Sequence, residues 1–180
     1  YCDVVLDHTK PLQDKLFNEM KARIKEDDES VPYYDNDYYY YYRTEAGKQY
    51  QIHCRKKGSL QAKEEVLFDV NRMAENYPTY LFSGYEISVD NGLAIYASNT
   101  TGSYAEYTIR MKDLTTGSEL PDVIDKTASF TLANDNKTLF YVTIDNALRP
   151  YRLFRYEIGN NKKPELLYEE RDEKFSLNVY

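Results

Sequence analysis

Tryptophan is absent from the 180 residues, glycine occurs seven times, and cysteine and histidine occur twice each. Each shortage removes a class of function. So few glycines, none clustered, leave no phosphate-cradling loop, and no Gly-x-Ser-x-Gly elbow or His-Glu-x-x-His pair is present. Cys2 and Cys54 have no metal-type spacing and cannot build a disulfide framework, so they read as reduced bystander thiols of a cytoplasmic protein. His8 and His53 fall in separate parts of the pattern and read as bystanders too. No catalytic residue, cofactor site or metal ligand is expected. No apolar run approaches the ~18 residues of a membrane-spanning helix, and no basic-then-apolar leader is visible, so no membrane partner is expected. Twenty-three Lys and Arg against 30 Asp and Glu leave a net charge of -7. Nucleic acid needs clustered cations, which argues against it as a partner.

What is abundant is tyrosine, 20 of 180 residues. With Val, Ile, Phe and Thr it favours half-buried strands. One stretch differs. Over residues 9 to 27, Leu12, Leu16, Phe17, Met20 and Ile24 fall at i, i+4, i+5, i+8 and i+12, one apolar stripe of an amphipathic helix. Thr9 is placed to cap it, Pro11 suits its first turn, and the acidic run from Glu26 to Glu29 with Pro32 ends it.

From Tyr33 onward short strands alternate with turns. Strands are expected at Tyr38 to Arg43, Tyr50 to Lys56, Glu65 to Val70, Tyr85 to Val89, Leu93 to Tyr96, Tyr107 to Met111, Phe130 to Leu132, Leu139 to Thr143, Tyr151 to Ile158 and Phe175 to Val179. Turns fall at residues 90–92 and 134–136, where Asn-Gly and Asn-Asp-Asn tolerate a positive φ. The order repeats: Tyr96 matches Tyr141 at a separation of 45, and Asp113 matches Glu157 at 44. Repeats of 40 to 50 residues with four strands each are the signature of propeller blades. The fold expected is mainly β: an N-terminal helical segment over 1–31, then an incomplete β-propeller over 32–180. Its blades would cover about 33–70, 80–121 and 127–168, with a fourth beginning near 175.

The run from Tyr38 to Tyr42 puts Tyr38, Tyr40 and Tyr42 on one face of a strand and Tyr39 and Tyr41 on the other. Packing between sheets explains it better than a sugar- or peptide-gripping platform, because the ring fills a core while the hydroxyl reaches the edge. Asn99-Thr-Thr101 and Asn136-Lys-Thr138 match the glycosylation pattern by chance.

The stretch Tyr40 to Tyr50 (YYYRTEAGKQY), continuing to Cys54, Arg55 and Lys56, resembles the oligopeptidase B (protease II) family, basic-specific relatives of prolyl oligopeptidase. The likeness continues through Glu64 to Leu67, Asp90 to Tyr96, Thr100 to Gly102, Val123 to Ser129, Leu139 to Val142 and Arg149 to Arg152. Upstream it takes in Leu12 to Leu16 and Ser30 to Pro32, and so covers nearly the whole chain. Ala46, Gln51 and His53 depart from it. The resemblance implies a seven-bladed propeller capping an α/β-hydrolase domain with a Ser-Asp-His triad. Such an enzyme cleaves short peptides after Arg or Lys, and none of its catalytic residues falls in this segment.

Both ends read as interior to a longer chain. The partners expected are therefore the C-terminal α/β-hydrolase domain and, through the whole enzyme, short basic peptides. The stripe Leu12, Leu16, Phe17, Met20 and Ile24 is the candidate interdomain face, and on the segment alone a self-association face. The competing readings are a free-standing β-repeat module that binds a peptide or glycan, and the propeller of another prolyl oligopeptidase-type enzyme.

Overall fold

A computed structural model describes residues 1–160 and 162–180. The chain divides into two compact units, Tyr1–Asn71 and Arg72–Tyr180.

The first unit opens with α1 (Cys2–Leu6), a 3-10 turn (Asp7–Thr9) and α2 (Lys10–Lys21). The amphipathic helix is present, but its bounds differ from those expected at both ends. Thr9 does not cap it. Its backbone is helical (φ -90, ψ -10), and its hydroxyl donates backward to the Leu6 carbonyl at 2.6 Å, so helical structure runs through from Cys2. At the other end Arg23 and Ile24 donate to the carbonyls of Met20 and Lys21. These i→i−3 bonds tighten the last turn and leave Ile24 past the end of α2.

Four antiparallel strands follow in the order β1 (Tyr33–Asp35), β2 (Tyr38–Arg43), β3 (Ile52–Lys57) and β4 (Glu64–Asp69). Tyr41 lies opposite Cys54, and with Ile52 they form a small buried cluster. The even-numbered tyrosines pack on the other face. The Tyr40 ring stacks on Tyr33 at 5.5 Å between centroids and lies 6.2 Å from Tyr38, while Tyr42 is exposed. Asn71, in the short helix α3 (Val70–Ala74), exchanges two bonds with the Tyr50 backbone at 2.9 Å each.

The second unit holds seven antiparallel strands: β5 (Leu81–Ile87), β6 (Leu93–Asn99), β7 (Tyr107–Asp113), β8 (Glu119–Leu132), β9 (Thr138–Ile144), β10 (Pro150–Glu157) and β11 (Glu165–Glu169), adjacent in chain order. The internal repeat is visible in the strands themselves: Tyr96 is the fourth residue of β6 and Tyr141 the fourth of β9. Asn91 and Asn136 take matching left-handed φ values of 60 and 61 in the two turns. The break expected between residues 121 and 127 instead lies inside β8, a single 14-residue strand. Its first half pairs with β7 and its second half with β9, and Thr127 faces both Tyr107 and Thr143. Lys126, at φ 56, sits where the strand passes from one pairing to the other. A non-glycine residue there is strained, so the surroundings must fix it.

The ribbon folds over itself at this point. Two strands separate β5 from β8 in the sheet order, yet the Glu86 carboxylate on β5 accepts from the Leu132 amide on β8 at 2.8 Å. Between the layers lies a mostly aliphatic core of Ile95, Ala97, Ile109, Met111 and Leu139 with the ring of Tyr141. The architecture is that of a partial β-propeller preceded by a helical segment. At the chain end the expected strand Phe175–Val179 is not formed. Leu177 donates to the Pro150 carbonyl and Val179 to the Ser129 hydroxyl, which are isolated bonds rather than a ladder.

Candidate functional site

The apolar stripe comes first because the sequence singles it out. Leu12, Leu16, Phe17 and Met20 lie along α2, with Ile24 just beyond it, and all five are 46% to 66% exposed. No residue of α2 is buried. Val4, Val5 and Leu6 on α1 are exposed as well, which extends the apolar surface upstream. Ion pairs beside it, Arg23–Glu19 at 2.5 Å and Lys21–Glu26 at 3.3 Å, are solvent-exposed and contribute little to stability. The helical face is thus apolar and solvent-exposed along its length.

The tyrosine-rich sheet carries a polar network that the sequence did not mark. Tyr41 donates to Glu64 at 2.5 Å, and Arg43 donates to the other oxygen of that carboxylate at 3.2 and 3.3 Å and also to Glu45. Burial pushes the Glu64 carboxyl up, but the bonds from Tyr41 and Arg43 outweigh it and hold it below its usual range. Burial, then the Glu64 hydrogen bond, raises the Tyr41 phenol. Arg55, almost fully buried, lies 4.0 Å from the Tyr38 ring centroid and donates to Glu65 at 2.8 Å. These side chains pair with one another and so fix the sheet.

Of the four cysteines and histidines, two are governed by burial. Burial pushes the Cys54 thiol up to about 11, so it stays protonated at neutral pH and a poor nucleophile. Burial pulls His53 below its ordinary value, favouring the neutral ring. His8 is exposed, with Nδ1 3.0 Å from the Val5 carbonyl. Cys2 is exposed and free. Among the described residues no group of three or more His, Cys, Asp or Glu could hold a metal ion, and no helix is long and apolar enough to cross a membrane. Asn99 is buried; its amide donates to the Ser103 carbonyl while its oxygen accepts from Thr101 and Gly102. It therefore shapes a turn rather than presenting a glycosylation acceptor. One cleft of the second unit, of about 240 Å³, is lined by Tyr77, Tyr80, Tyr96, Ser98, Arg110 and Glu119 among others. In it the Tyr96 hydroxyl donates to Glu119 at 3.1 Å.

Comparison with known proteins agrees with the repeated-strand architecture. The family described as prolyl oligopeptidase, N-terminal beta-propeller domain, matches residues 1–180. The chain is 39% identical over 197 aligned positions to dipeptidyl aminopeptidase BI of Pseudoxanthomonas mexicana, covering 99% of this chain and 27% of that protein. It is 31% identical to protease 2 of Moraxella lacunata, covering 94% of this chain and 26% of that protein. Oligopeptidase B from Leishmania major superposes with a TM-score of 0.88 at 31% identity, covering 97% of this chain and 25% of that one. The chain thus spans about a quarter of the length of the relatives it matches. It belongs to the prolyl oligopeptidase N-terminal beta-propeller family.

Proposed function

We propose that this segment is the opening part of the propeller of an oligopeptidase B-like serine peptidase. In this reading the propeller limits access to a separate α/β-hydrolase domain, and that domain cleaves short peptides after Arg or Lys. The observation that carries the proposal is the match to the propeller family over all 180 residues, supported by the likeness to oligopeptidase B. The chemistry would be acyl transfer to water through a serine with a histidine base, supplied from outside this segment. The segment's own contribution is steric, together with the apolar face of Leu12, Leu16, Phe17, Met20 and Ile24, which packs against the remainder of the enzyme. The setting is cytoplasmic, and in isolation the same face drives self-association.

The whole polypeptide that carries this segment should hydrolyse short N-blocked reporters ending in Arg or Lys and spare a folded protein with the same cleavage sites. Equal turnover of reporters ending in Pro or Ala would overturn the assigned specificity. Equal cleavage of the folded protein would overturn the gating role. The 39% identical relative, named a dipeptidyl aminopeptidase, favours a second reading in which dipeptides are released from a free N-terminus. Loss of turnover on blocking that amine would select the second reading over the first.

A further inference from the structure

The turn that leaves β11 is built around a single guanidinium. Arg149 Nη1 donates to the carbonyl of Phe175 at 3.0 Å and to those of Glu170 and Asp172 at 3.4 Å each, and Nη2 reaches Glu170 at 3.5 Å. Its Nε donates to Asp145 at 3.2 Å, which orients the fork, and Asp145 is itself held by the amides of Ala147 and Arg149. The Arg149 side chain is only 18% exposed, and the Tyr151 ring lies 5.4 Å from the guanidinium carbon. The two residues after Arg149 hold the same stretch through their backbone. The Tyr151 carbonyl accepts from Glu170 at 2.8 Å, and the Pro150 carbonyl accepts from Leu177 at 3.0 Å. Three successive residues thus grip both ends of a stretch with no strand pairing of its own.

Backbone carbonyls outside regular structure need donors. A planar fork with five N–H groups can serve several at once, whereas a lysine ammonium is a compact point charge without that fixed geometry. The gripped turn also carries two cations, Arg171 and Lys174, both exposed. Arg171 is 88% exposed, with only a loose contact to Glu169 at 3.9 Å. By composition the stretch is a substrate for basic-specific peptidases. Its shape is not that of one: the Phe175 amide donates back to Asp172 at 3.1 Å, and the Lys174 amide donates to the Asp172 carboxylate at 3.0 Å. The backbone is therefore closed on itself rather than extended, as a protease cleft requires.

We propose that Arg149 is a clamp that holds residues 170–177 in a closed turn and thereby withholds Arg171 and Lys174 from basic-specific peptidases. Trypsin is the probe, because it cuts after Arg and Lys whatever the specificity of this protein. In the whole polypeptide, Arg149→Ala and Arg149→Lys should raise both amide exchange over 170–177 and trypsin cleavage after Arg171 or Lys174 about tenfold, the loss of roughly one net hydrogen bond. Exchange of the β9 core amides should stay unchanged. Unchanged exchange and cleavage over 170–177 in both variants would overturn the proposal. Full protection retained by Arg149→Lys would also overturn it, since charge alone would then suffice. Equal acceleration throughout the second unit in both variants would make Arg149 a general stability residue and overturn it as well.

Discussion

The two units solve the same problem, a sheet with two faces to cover, by different chemistry. In the second unit the seven-stranded ribbon folds over β8 and buries aliphatic side chains between its own layers; Ile95, Ile109, Met111 and Leu139 have no exposed surface. The first unit has a single sheet, and its buried positions mix Ile52, Leu67, Phe68 and Val70 with Tyr38, Tyr40, Tyr41, Cys54 and Arg55. An aliphatic side chain gains in proportion to the area it removes from water, whereas tyrosine and arginine pack an apolar body and keep a polar tip satisfied at an edge. A sheet that folds onto itself can use Ile and Met. In the single sheet Tyr, Arg and Glu join the apolar positions, because their polar tips can be satisfied at an edge.

The sharpest way to break this comparison is to truncate one core position in each unit. Ile95→Ala leaves a cavity in a closed interlayer core and should cost about 2–5 kcal/mol. Tyr41→Phe keeps the ring among Ile52 and Cys54 and removes only the bond to Glu64, so about 1 kcal/mol is expected. Urea midpoints of the two variants, with exchange to locate the affected unit, test the difference. Equal losses would show that the tyrosine network holds its sheet as strongly as the aliphatic core holds the other.

The polar contacts that close the folded ribbon come next in size. Asp122 is buried and accepts from the Tyr156 hydroxyl and from the Gly159 amide at 3.2 Å, joining β8 to the end of β10. Asp122→Ala strands both donors and should cost about 1–3 kcal/mol. Faster exchange should be confined to the ends of β8 and β10; acceleration spread evenly over the unit would mean that Asp122 acts on the whole core.

Acidification should separate the units by pH. His53 in the first unit has its folded pKa depressed by burial, so the unfolded chain binds its proton more readily. The resulting stability is fully present above about 6.5, the unfolded value, and is lost as pH falls from there through the folded pKa. Asp135 in the second unit sits at about 2, lowered by bonds from the Thr138 hydroxyl and from the Thr138 and Lys137 amides. Its contribution is present above the ordinary 3.8 and is lost as pH falls towards 2. Thermal melting followed across pH should therefore show a first-unit slope that begins below pH 6.5 and that His53→Phe reduces, and a second-unit slope below pH 4 that Asp135→Asn reduces, the remainder coming from Asp90, Asp113 and Asp145, which are lowered as well. Slopes left unchanged by both substitutions would assign the acid sensitivity elsewhere.

Much of this was legible in the sequence where one residue type has one physical use. Tyr96 and Tyr141 locate the repeat because the second strand of each half is buried on both faces. The turns at Asn91 and Asn136 are legible because Asn tolerates the left-handed φ they adopt. The continuity of β8 was not, because Lys126 at φ 56 is fixed by its neighbours on β7 and β9 and not by any preference of lysine. The early start of the helix was missed because Val4, Val5 and Leu6 are too few to show a period. In β11 only Leu166, Leu167 and Tyr168 are apolar, too short a run to mark. The Arg149 clamp left no trace at all: its acceptors are backbone carbonyls 21 to 26 residues away, and a carbonyl has no side-chain signature. The apolar stripe was legible from Leu12 to Met20, while Ile24 falls beyond the end of α2; periodicity reports an apolar face whether or not the chain itself covers it.

That stripe yields the smallest stability effect and the clearest contrast with the cores. Leu16 and Phe17 are 46% and 62% exposed, so a charge at either position displaces no packed neighbour. Surface substitutions of this kind shift stability by about 0.5 kcal/mol or less, against the several expected at Ile95. Leu16→Glu with Phe17→Glu should thus leave the urea midpoint of the segment nearly unchanged. Its association should weaken strongly, because the stripe is the apolar area that association would remove from water. Light scattering across a concentration series reads this directly: the parent segment should gain mass as concentration rises, and the doubly substituted one should not. Salt gives a second handle. Screening at 0.15 M acts beyond about 8 Å, so raising ionic strength should reduce the repulsion between segments of charge -7 and favour association of the parent. A segment that stays monomeric at every concentration and salt level would show that an exposed apolar helix face alone does not drive pairing.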